Sequence, residues 1–187
     1  GLGRLEAAVP LIVGKLHEDD DLLADSCVEA LSRIATNTVV AAVAEDYADA
    51  EQHFRFFSTG VLESIHSDLA VQTCLDLLTR EKDGNIRREL ACAALSHFAE
   101  EAIEPVRQLL SSQQIRGDLR HLRDDLVAAC TIMEQRFPEY DEWRAMGERE
   151  REEHQRQLAA LADDPQAALL WAFERAKDYF PTDESDE

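Results

Sequence analysis

One amphipathic helical phrase returns three times along this chain at a spacing of about 31 to 35 residues, and this recurrence restricts the fold more than any other feature. Leu23, Cys27, Leu31 and Ile34 mark its first occurrence, and Phe54, Leu62 and Ile65 the second. Ala91, Leu95 and Phe98 mark the third, and Leu122, Leu126, Cys130 and Met133 the fourth. Apolar residues three and four positions apart share one helical face. A repeat of this length holds two helices, and one such hairpin cannot cover its own apolar stripe, so successive hairpins must stack on each other. The expected fold is all-α: an α-solenoid of about four helical hairpins followed by a C-terminal helical extension. Such a fold offers a surface rather than a pocket.

Local signals place the helices. The first repeat opens on Leu5, Val9, Ile12 and Leu16, with Pro10 near a first turn where its missing N–H is tolerated. Its second helix is expected over 22–35, after the polar run from His17 to Asp21. The second repeat predicts a short helix over 38–47 and a longer, aromatic-rich one over 50–66. The third pairs 68–79 with 85–99 across Arg80-Glu81-Lys82-Asp83-Gly84, a charged run ending in a turn dipeptide. The fourth pairs 102–110 with 120–135. This repeat domain covers 1–137.

Beyond Pro138 the rhythm changes, and residues 138–180 read as a helical extension. It begins with a Glu- and Arg-rich, mostly solvated helix over 142–161. Asp164 then serves as an N-cap with Pro165 behind it, starting an apolar helix over 166–180. Leu169, Leu170, Trp171 and Phe173 in that helix must cover something: the end or side of the solenoid, a partner, or a second copy of the chain through 164–180. Residues 181–187 form an acidic tail expected to be disordered.

Charge removes some classes of partner. With 39 acidic against 19 basic residues the formal net charge is −20. A phosphate backbone is bound by Lys and Arg displacing counterions, so nucleic acid is not an expected partner. The longest apolar stretches fall short of the ~18 residues that a membrane span requires, so no membrane partner is expected. No basic segment followed by an apolar core opens the chain, so a retained secretory signal is not expected either, and Gly1 in place of Met points to a trimmed start. Cys27, Cys74, Cys92 and Cys130 are widely spaced and sit on apolar helical faces. They read as small hydrophobes in a reducing cytoplasm. Scarce Lys beside abundant Arg and Ala points to a bacterial genome of high GC content.

Two passages carry a family likeness. Val9-Pro10-Leu11-Ile12 with Leu16, followed by Cys27-Val28-Glu29-Ala30-Leu31 with Ile34-Ala35, is the first. Asp83-Gly84-Asn85-Ile86-Arg87-Arg88 with Ala91-Cys92-Ala93-Ala94-Leu95 is the second. Together they resemble HEAT repeats, particularly the short bacterial kind, over residues 5 to 135. The resemblance implies an Asp in the turn within a repeat and an Arg early in its second helix, paired as a ladder along the stack. Asp19 and Asp83 match the former. Arg55, Arg87 or Arg88, and Arg123 match the latter, while the first repeat departs from the pattern with Ala24.

The candidate contact residues follow from this arrangement. If second helices line one face, Arg55, Arg88, Arg120 and Arg123 stand along it, either paired internally or offered to a partner, since Arg forks match carboxylate geometry. Phe54, Phe56 and Phe57 cannot share one side of a helix, because successive residues turn through 100°. Phe56 and Phe57 are therefore added as candidate anchors, with extra packing in a wider groove as the alternative. His53, His66, His97 and His121 lie on or near second helices, where stacking could gather some of them beside Asp124 and Asp125.

No catalytic constellation, cofactor motif or metal site is expected. Glu63-Ser64-Ile65-His66 has the spacing of one di-iron ligand pair, but no second Glu-x-x-His accompanies it. The expectation is a non-catalytic protein-interaction scaffold that binds a partner on the concave face. The alternatives are a HEAT-like enzyme or a lyase of the bilin-lyase type acting on a small molecule, and an assembly subunit of a larger complex.

Overall fold

The structure is a computed structural model describing residues 5–112 and 119–163. The regular structure among them is helical, with no strand. The helices are α1 (Val9–Leu16), α2 (Asp21–Ile34), α3 (Asn37–Tyr47), α4 (Gln52–Ser64), α5 (Asp68–Arg80), α6 (Gly84–Ser96), α7 (Ile103–Ser111), α8 (Arg120–Ile132) and α9 (Tyr140–Asp163). A 3-10 turn over Glu100–Ala102 leads into α7. The expected apolar helix over 166–180, its Asp164 cap, the acidic tail and any self-association through 164–180 lie outside the described residues.

Short polar side chains cap the starts of α2, α5 and α6. Asp20 caps α2 by accepting the Leu23 N–H at 3.1 Å, Ser67 caps α5 through the Ala70 N–H at 3.2 Å, and Asp83 caps α6 through Asn85 and Ile86. Each such cap contributes about 1 kcal/mol. Asp19 lies in the turn before α2, one residue ahead of the capping Asp20. At the other end, α2, α6 and α8 stop with a residue in the left-handed region at or just past the last turn: Ala35 (φ 49°), Phe98 (φ 51°) and Glu134 (φ 58°).

Helices pair in chain order, α1 with α2, α3 with α4, α5 with α6 and α7 with α8. Each second helix also packs on the next one, α2 on α4, α4 on α6 and α6 on α8, while α1 packs on α3 and α3 on α5. Leu31, Phe54, Leu62, Leu90, Leu122 and Leu126 are fully buried in these seams. Each contributes about 1.5–3 kcal/mol by leaving water.

Polar bonds follow the same spacing. Tyr47 to Glu81, Gln52 to Asp83, His53 to Asp21, Arg107 to Glu139 and Gln135 to Glu100 each join residues 31 to 35 positions apart. The most enclosed of them centres on Glu81, whose side chain is 0 % exposed. Its carboxylate accepts the Tyr47 hydroxyl at 2.8 Å and the backbone N–H groups of Lys82 and Asp83 at 2.7 and 2.9 Å, and it faces Arg55 at 3.4 Å. Burial and the neighbouring carboxylate push the Tyr47 phenol far up, so it stays protonated and donates.

The chain divides into two compact units, residues 1–140 and 141–187. In the second, residues 151–160 of α9 are exposed, and Arg144 meets Glu148 one turn on at 3.0 Å.

Candidate functional site

Three successive second helices begin side by side, and a groove of about 510 Å³ runs across their first turns. Asp21 enters from α2, and Asn85, Ile86 and Arg88 enter from α6. Gln52, His53, Phe56 and Phe57 come from α4. The 100° step expected to scatter the three phenylalanines does so. Phe54 is fully buried and stacks on His17 at 3.9 Å between ring centres. Phe56 is 44 % exposed and meets Phe57 edge to face at 5.5 Å.

Arg88 is half-buried on the same groove and pairs with Glu89 at 2.9 Å. His53 also lines it. Its Nε2 lies 3.3 Å from Asp21, whose carboxylate can only accept, so Nε2–H donates. That Nδ1 is buried without a partner among the described residues.

The other arginines are placed differently. Arg55 turns inward to Glu81. Arg123 is 6 % exposed and donates to Asp124 at 2.8 and 3.0 Å. Arg120 is exposed at the start of α8 and lies outside the groove lining. Of the six residues singled out by sequence, Phe56, Phe57 and Arg88 therefore come together. His53, Gln52 and Asn85 were not anticipated there; their shared position in the first turn of a second helix is the signal that could have found them.

Among the histidines, His66 and His97 meet, Nδ1 to Nδ1, at 3.2 Å. His97 Nε2 lies 3.0 Å from the Leu62 carbonyl, so His97 donates there and accepts from His66. Burial, with His66 beside it, holds His97 below the ordinary histidine pKa. Glu63 and His66 do not share a helical face, because α4 ends at Ser64 and Ile65 is extended (φ −104°, ψ 94°). Among the described residues no group of three or more His, Cys, Asp or Glu converges to hold a metal.

The cysteines are free, with Cys27, Cys74 and Cys130 buried and Cys92 half-buried. Burial pushes Cys74 and Cys92 up to about 12 and raises Cys27 and Cys130 as well. At pH 8 a thiol with a pKa near 12 is ionised in roughly one molecule in ten thousand, and the thiolate is the reactive form. Iodoacetamide at that pH is therefore expected to leave Cys74 and Cys92 of the native chain essentially unmodified over an hour and to alkylate four cysteines in guanidinium, as read by peptide mass. Rapid labelling of native Cys92 would contradict this.

Among the described residues no helix is long and apolar enough to cross a membrane. Compared with known proteins, the chain matches no family model, no curated protein and no solved structure.

Proposed function

We propose that the chain is a HEAT-like α-solenoid adaptor of the bacterial cytoplasm, which binds a partner protein on the face made by its second helices and performs no catalysis. The stacking of α2, α4, α6 and α8 in chain order, with side-chain bonds one repeat long, supports the solenoid reading. One observation carries the functional reading: an exposed Phe56, braced edge to face by a half-buried Phe57, beside Arg88 in one open groove. Aromatic and Arg side chains supply most of the energetic anchors of protein interfaces. Arg55 and Arg123 act in this reading as internal struts.

The test is co-purification on the tagged full chain. A stoichiometric protein partner should be captured by the natural sequence and lost by Phe56→Ser and by Arg88→Glu, each weakening binding by about tenfold or more. Phe56 is half exposed, so its replacement should leave thermal unfolding within a degree or two. Capture that both variants leave unchanged would sink the reading.

A further inference from the structure

A second depression, of about 260 Å³, lies further along α4 and α6, where α8 packs beside α6. The α6 turn that follows Arg88 brings Cys92 into it, and Glu63 lies on α4 two turns beyond Phe56. Its apolar rim is Phe98 and Ile132, which are 49 and 65 % exposed, while Ala128 and Ala129 keep its floor low.

Phe98 is an expensive residue to place here. It occupies the left-handed position after α6, which at the ends of α2 and α8 holds Ala35 and Glu134. A side chain with a Cβ is disfavoured in that region, and glycine would be the undemanding choice. The chain instead carries a large apolar ring there, half in water.

The rim is also acidic. Glu63 and Asp125 border the depression, and neither has an ion-pair partner among the described residues. Asp125 accepts from the Cys92 thiol at 3.8 Å and has His121 on its own helix nearby, while Arg88, one turn before Cys92, is engaged by Glu89. Two carboxylates beside an apolar slot favour an occupant that is apolar and cationic together. A second copy of this chain does not fit that description, because each copy carries a net charge of −20 and the copies repel.

We infer that this depression seats an aliphatic or aromatic side chain of a cationic amphipathic segment on the partner protein, with a neighbouring Lys or Arg set against Glu63 and Asp125. The inference rests on the adaptor reading and names the chemistry of what that face receives.

The experiment is selection of a random linear peptide display library on the full chain at physiological salt. Enriched peptides should join an apolar residue to Lys or Arg. Synthetic copies should lose about tenfold in affinity or more on Ile132→Asp, and a similar factor on the double change Glu63→Gln with Asp125→Asn, with little effect of Phe56→Ser. Phe98→Gly is the decisive variant. It relieves the left-handed backbone, so it should weaken peptide binding without lowering the melting temperature, whereas a merely structural Phe98 would lower it.

Acidic binders, binders indifferent to Ile132 and Phe98, or no enrichment would each overturn the inference. Peptides that depend on Phe56 and Arg88 alone would overturn it and leave the adaptor reading standing. A dimer in sedimentation that Ile132→Asp dissolves would assign the surface to self-contact and overturn it as well.

Discussion

Glu81→Ala is expected to lower the unfolding free energy by about 3–5 kcal/mol, the range found when one member of a buried, hydrogen-bonded ionic group is removed. The reason is what stays behind. The Tyr47 hydroxyl, the Lys82 and Asp83 N–H groups and the Arg55 guanidinium all face the same fully buried carboxylate. A buried donor without an acceptor costs about 1–3 kcal/mol. Glu81→Gln keeps acceptor oxygen at that place and should cost less, and Tyr47→Phe, which removes a single donor, should cost about 1 kcal/mol. Urea titration followed by circular dichroism orders the three variants, and equal midpoints for Glu81→Ala and the natural sequence would show that the network contributes nothing.

Phe54→Ala is expected to cost about 3–5 kcal/mol, because a fully buried phenylalanine leaves a cavity as well as lost transfer energy. Its ring also stacks on His17, which in turn lies 3.2 Å from Asp46, so the change loosens the junction of the first two repeats. Phe56→Ala, two positions on, should cost less than about 1 kcal/mol, since that ring is already half in water. The contrast is the informative result. Similar losses for both would mean that α4 is rotated from the orientation described here.

The repeat spacing and the second helices were legible because apolar periodicity reports which side of a helix is covered, and Leu31, Leu62, Leu95 and Leu126 are indeed buried. Helix ends were less so. Ile65 extends the apolar pattern of α4 and reads as helical, yet it is extended, because Ser67 must leave the helix to cap α5. Its side chain stays 2 % exposed all the same, so burial alone did not betray the turn.

Of the candidate arginines, Arg88 reaches the groove while Arg55 and Arg123 do not. What separates them is tertiary: Glu81 lies beneath Arg55, and packing closes over Arg123. Neither is written in the local spacing. His53 was visible only as one histidine among several, since its role depends on Asp21, 32 residues away.

The bonds that span one repeat have a consequence for how such a molecule changes in size. The substantial helix contacts described here join a hairpin to itself or to the hairpin next in sequence, and none of these seams depends on the two ends of the chain meeting. Duplicating or deleting one whole hairpin would therefore keep the remaining seams, and the reach of the exposed face could grow or shrink by units without a new core having to be invented.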